Sequence, residues 1–164
     1  RMVAKATADR KPSRMSPPTA LARCMATMLP PPMMVPPMDV GDMGTMMVAT
    51  DPAGAVIGWW KPNTHPGFLE WGTHGTPYWF ECQSKDYAKS IAFYTEVLGA
   101  RIEEVGTGGN PDAVGPDHYG QVFIGESSYS GIMDAATLFP AEVPSFWQGA
   151  SAQSSMSTSQ RSPS

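Results

Sequence analysis

Cysteine is nearly missing from this chain. Cys24 and Cys82 are the two thiols in 164 residues. They lie far apart and show no ligand spacing, so neither a disulfide framework nor a structural zinc site is implied. A reducing cytoplasm is the compartment that this expects. Histidine is also scarce, with His65, His74 and His118 widely separated. No apolar run approaches the about twenty residues that a membrane helix needs. The start lacks the basic-then-apolar order of a secretory signal. A membrane partner is therefore not expected.

What is present is unevenly spread. Ten of the twelve methionines and eight of the seventeen prolines fall before position 48. Residues 1–38 carry six basic groups and one acid, net +5, whereas residues 39–164 carry five basic groups and fourteen acids, net −9. A basic arm suggests a nucleic-acid or membrane tail. Against that, Arg1, Lys5, Arg10, Lys11, Arg14 and Arg23 are diffuse, and no aromatic side chain sits among them to stack on bases. No nucleic-acid partner is expected. Pro17-Pro18, Pro30-Pro31-Pro32 and Pro36-Pro37 oppose regular ladders, so the arm reads as disordered. At the other end seven of the last seventeen residues are serine. The chain opens on Arg1 rather than methionine. The expectation is a fragment with one or both ends drawn from a shifted reading frame, the alternative being an authentic flexible tail; in-frame flanks within an intact gene, with no other frame continuing the pattern, would refute it.

The middle is ordered in pattern. Residues 45–50 and 55–60 are apolar runs joined by Asp51-Pro52-Ala53-Gly54, where Asp, Pro and Gly occupy the positions a β-turn favours. This predicts a hairpin. Tyr78, Phe80 and Cys82 alternate with Trp79, Glu81 and Gln83, the period of a strand. Asp86 is placed to cap a helix whose face is Ala88, Ile91, Thr95 and Leu98, and Gly99 to end it in a left-handed residue. A strand over 100–105, a loop over 106–116 and a hairpin of 119–124 with 128–133 follow. The loop's Gly-Thr-Gly-Gly is no phosphate cradle, since neither Lys-Ser/Thr nor a helix comes after it. Residues 138–144 read as irregular, and Phe146-Trp147 as the start of a further strand that breaks off.

The run Trp79-x-Glu81…Asp86-x-x-x-Ser90-x-x-Phe93-Tyr94-x-x-Val97-Leu98-Gly99, with the Asp-Pro-x-Gly hairpin upstream, resembles the vicinal-oxygen-chelate superfamily. That superfamily includes glyoxalase I, bleomycin-resistance proteins and extradiol dioxygenases. The resemblance covers roughly residues 35–148 and implies an α+β fold of βαβββ modules, here incomplete. In the family two modules enclose a pocket with their curved sheets. By this reading the chain comprises a disordered arm (1–34), the closing hairpin of a preceding module (35–62), a linker (63–76), a truncated βαβββ module (77–148) and a disordered tail (149–164). An open sheet of this kind is expected to self-associate.

Metal-using branches of the family place His and Glu on the first and last strands of each module around a divalent ion. Carried over residue by residue, two donor positions fall on Trp79 and Gly58, neither of which can ligate. No metal site and no cofactor are therefore expected. The implied function is a metal-free module that binds a small molecule. The alternatives are a metal-dependent lyase, isomerase or dioxygenase whose ligands lie on missing segments, and a remnant without function. The catalytic residues stay unknown.

The candidate ligand pocket is Trp79, Glu81, Tyr119, Gln121 and Phe123, with Trp147 as a further aromatic. The plainer reading of these aromatics is packing between sheets. Glu81 suits a general base, a substituted metal ligand or, more plainly, a rim charge; Asp134 suits a ligand or a strand-end carboxylate. His118, beside Asp117 at a strand start, is the best placed of the three histidines, since His65 and His74 lie in the linker. Cys82 is expected to face the helix as a buried, inert thiol.

Overall fold

The computed structural model describes residues 33–110, 112 and 115–153. Among them eight strands and one helix follow the order β1 (Met33–Val40), β2 (Gly44–Thr50), β3 (Val56–Pro62), β4 (Pro77–Ser84), α1 (Tyr87–Leu98), β5 (Arg101–Glu104), β6 (Tyr119–Ile124), β7 (Ser127–Asp134) and β8 (Phe146–Ser151). The fold class is α+β, as the patterns predict. β1, β2 and β3 form an antiparallel meander, and the second sheet has the order β5-β6-β7-β4-β8. β4 runs parallel to β7 and antiparallel to β8. The strand–helix–three-strand succession from β4 to β7 is the βαβββ unit.

Helix α1 begins and ends where its sequence dictates. The Asp86 carboxylate accepts the Lys89 backbone N–H at 3.2 Å, satisfying one of the free donors of the first turn. Gly99 leaves the last turn at φ 62°, a conformation that costs a glycine little. The buried face is not the expected one. Ala88 and Thr95 are exposed and Ile91 and Leu98 half-buried, whereas Ser90, Phe93, Tyr94 and Val97 are buried. A count of apolar residues misjudges Ser90 and Tyr94 because their hydroxyls are satisfied by partners far along the chain.

The chief of those partners is Asp51, 2 % exposed. Its Oδ1 accepts the backbone N–H groups of Ala53 and Ala55, closing the predicted turn. Its Oδ2 accepts the Tyr94 hydroxyl at 2.9 Å and the Ser90 hydroxyl at 3.4 Å. The same Tyr94 oxygen accepts the Trp147 indole N–H at 2.8 Å. One carboxylate thus fastens the β2–β3 hairpin to α1, and Ser145 adds a hydrogen bond to the Ala53 carbonyl at 2.7 Å. Met47 and Ala55 join Cys82, Phe93, Tyr94, Val97, Val122 and Ile132 in one core. The hairpin and the βαβββ unit therefore share their apolar interior.

Three segments are more regular than the composition suggests. β1 starts at Met33 and carries Pro36 and Pro37 within a strand. Among the described residues it is the outer strand of its sheet, and its register against β2 slips between Val35 and Met38, so two missing N–H donors are tolerated at an edge. β8 does not break off after Trp147 but runs to Ser151 in register with β4. Backbone pairing asks little of its side chains, which is why a polar, small-residue stretch can form a strand. Residues 63–76 also pack: the Trp71 ring lies 5.6 Å from Phe80 and 4.8 Å from Tyr129, and Gly75 donates to the Ala152 carbonyl. The arm before residue 33 and the tail after residue 153 lie outside the described residues.

Candidate functional site

Register sorts the five-stranded sheet into two faces. Cys82, Ile132 and Trp147 share a rung on the helix side, and Val122 belongs to the same core one pair of residues along β6. Glu81, Gly131, Gln121 and Gln148 share the next rung on the opposite side, and Gln83, Met133 and Tyr119 the one after. Cys82 is fully buried, and burial raises its thiol far above the ordinary range, with the carboxylates of Asp51 and Glu81 adding to the effect. It is an inert core residue, as expected.

On the face away from the helix, Glu81 is the centre of a hydrogen-bond network. Its Oε2 accepts the Tyr119 hydroxyl at 2.9 Å. Its Oε1 accepts the Gln83 amide at 2.5 Å and the Gln148 amide at 3.1 Å. Tyr119 in turn accepts the Trp79 indole N–H at 2.9 Å. Tyr119 can reach Glu81 only because position 131 has no side chain. The β6 tyrosine lays its ring across Gly131 of β7, where a Cβ would collide with the hydroxyl and the ring. Burial, with the bond to Glu81 as a further cause, pushes the Tyr119 hydroxyl up to about 12, although the Trp79 donor acts the other way. A phenol so placed stays protonated and donating at neutral pH.

A cleft of about 260 Å³ opens beside this network, bounded by Trp79, Glu81, Gln148, Gly149 and Ala150. Of the residues expected in the pocket, the structure joins Trp79, Glu81 and Tyr119 directly. Gln121 lies on the same face two residues along β6, half-buried opposite Gly131 and Glu103. Phe123 is farther along that strand, with the Arg101 guanidinium 4.3 Å from its ring centre. Trp147 belongs to the helix-side core. Gln83, Gln148 and Gly131 complete the site and were not anticipated. Alternation from Glu81 points to Gln83, but Gln148 and Gly131 become neighbours only through strand order.

The remaining candidates gather elsewhere. The His118 ring stacks on Tyr87 at 5.5 Å, with its Nδ1 3.9 Å from Glu104. Asp134 accepts the Ala136 backbone N–H. Both line a hollow beside the start of α1, on the opposite face of the sheet from Glu81. His65 accepts the Gly67 N–H and packs edge-on to Trp60, and His74 lies in the 63–76 segment. Gly58 is in the other sheet from Trp79. Among the described residues no three His, Cys, Asp or Glu side chains come together. Glycine and an indole offer a metal no lone pair, so the residues at these positions do not fit a divalent ion. No helix among the described residues is long and apolar enough to cross a membrane.

Residues 78–137 match the model of the Glyoxalase/Bleomycin resistance protein/Dioxygenase superfamily. A mycobacterial protein named "Putative glyoxylase CFP32", from Mycobacterium tuberculosis and from Mycobacterium bovis, is 39% identical over 66 residues, which is 40% of this chain and 25% of that protein. The anthracycline biosynthesis protein DauV of Streptomyces is 33% identical over 78 residues, covering 48% of this chain and 28% of its own length. The chain thus spans about a quarter of the length of the curated relatives it matches.

Proposed function

We propose, from the chain's membership of the glyoxalase/bleomycin-resistance/dioxygenase superfamily, that it is a metal-free module which binds a small molecule on the Glu81 face of its five-stranded sheet. The observation that carries this reading is the network itself. A carboxylate, a protonated phenol and an indole are held in fixed positions beside an open cleft, on the side of the sheet that no helix among the described residues covers. An indole gives a flat apolar surface for a ring, and a carboxylate accepts a ligand's N–H or O–H. Cys82 is no activated nucleophile for this cleft: it lies on the opposite face and burial holds its thiol protonated. The cytoplasm suits a chain that carries a single described thiol, free and buried.

Equilibrium dialysis with 1-naphthalenemethanol as a neutral aromatic probe tests the reading. Saturable binding is expected, weakened about tenfold or more in Trp79→Ala, in line with loss of an aromatic anchor. Elemental analysis after exposure to Zn²⁺, Ni²⁺, Mn²⁺ and Fe²⁺, with a hemithioacetal turnover assay, tests the alternative. Stoichiometric metal with chelator-sensitive turnover would replace the binding module by a metal-dependent enzyme.

A further inference from the structure

Among the described residues the hydrogen-bond partners of the Glu81 carboxylate, the Tyr119 hydroxyl and the amides of Gln83 and Gln148, are all neutral. The ion pairs among the described residues join Lys89 to Asp86, Arg101 to Glu103 and His118 to Glu104; none reaches Glu81. Glu81 is half-buried, and Gln83 beside it is 4 % exposed. A carboxylate withdrawn from water in this way loses solvation that neutral donors return only in part. A cation in the adjoining cleft would return more. The second wall of that cleft is Trp79, whose N–H is committed to Tyr119 and whose ring is thereby held in one orientation. Indole is the strongest aromatic partner for a cation. Gly149 and Ala150, small residues on the third side, leave the space free of bulk.

We propose that the cleft formed by Trp79, Glu81, Gln148, Gly149 and Ala150 takes a positively charged ligand: a protonated amine or guanidinium group carried on an aromatic body. The cation faces Glu81, and the aromatic body lies along Trp79. This rests on the small-molecule reading above and specifies the ligand's charge. It involves no bond making or breaking, so the ligand leaves unchanged.

Three probes of one shape and different charge test it by equilibrium dialysis: 1-naphthylmethylammonium, 1-naphthalenemethanol and 1-naphthoate. The ammonium is expected to bind about fivefold or more tightly than the alcohol, with the naphthoate weakest. Glu81→Gln, which keeps an accepting oxygen and removes the charge, should bring ammonium and alcohol to within about twofold of each other. In the unmodified chain, raising salt from about 0.05 to about 0.5 M should shrink the ammonium's advantage, which checks the same point without a variant. Equal binding of all three probes, or a preference that survives both Glu81→Gln and high salt, overturns the charge assignment and leaves the small-molecule reading standing. Failure of all three probes to bind overturns both.

Discussion

A side chain at position 131 would occupy the space that the Tyr119 ring fills, because a Cβ there meets the hydroxyl, Cζ and Cε1 of that ring. Gly131→Ala is therefore expected to turn Tyr119 off Glu81 and to leave the Trp79 N–H without its acceptor. The cost to stability should be about 1–3 kcal/mol, the range for overpacking in a fitted site, measured by urea denaturation. Binding of an aromatic probe should weaken in parallel. Tyr119 supplies a second test through its acidity. Its hydroxyl is raised from 10.0 to about 12 in the folded chain, so the folded state holds this proton more tightly than the unfolded one. The stabilisation is complete below pH 10 and is lost as pH rises from there towards 12. Unfolding midpoints should fall across that window, and Tyr119→Phe should reduce the slope. A slope unchanged by Tyr119→Phe would show that the hydroxyl is not the group responsible.

Among elements, the contact between the β2–β3 hairpin and α1 depends on one buried carboxylate. Asp51→Ala removes the acceptor for the Ala53 and Ala55 N–H groups and for Tyr94, leaving these donors short of partners in a dry interior. A loss of about 3 kcal/mol or more is expected from unsatisfied buried groups. Tyr94→Phe should cost less, since it removes one donor to Asp51 and one acceptor for Trp147. If Asp51→Ala proves no worse than Tyr94→Phe, the hairpin is held by apolar packing instead. The turn and helix ends were legible from sequence because Asp51-Pro-Ala-Gly54, Asp86 and Gly99 act on neighbours a few residues away. The buried face of α1 was not. Ser90 and Tyr94 are core residues only because Asp51 arrives from 39 and 43 positions upstream, which no local periodicity encodes. The site divides in the same way. Trp79 and Glu81 follow from strand alternation, whereas Gln148 and Gly131 reach Glu81 through the pairing of β4 with β8 and β7.

At the scale of the whole molecule, two surfaces argue for association between copies. β8 is the last strand of its sheet among the described residues, so half of its backbone donors and acceptors face outward, an arrangement that invites a further strand. Phe68 and Leu69, 71 % and 82 % exposed, project from the segment that packs over Phe80 and Tyr129, and Tyr78 is exposed at the start of β4. Apolar groups of this size at a sheet margin are ordinarily covered. A second copy would supply both a strand edge and an apolar face, and pairing about a two-fold axis would satisfy the two sets at once. We therefore expect dimers in sedimentation velocity at micromolar concentration, with dissociation on dilution. Leu69→Lys and Phe68→Lys should each shift the distribution towards monomer, because a charge desolvated in an interface is costly while the same charge in solvent is not. Neither residue lines the Glu81 cleft, so probe binding by monomeric variants should be retained. A single monomeric species at all concentrations, unfolding cooperatively, would show instead that the open margin is tolerated by the isolated chain.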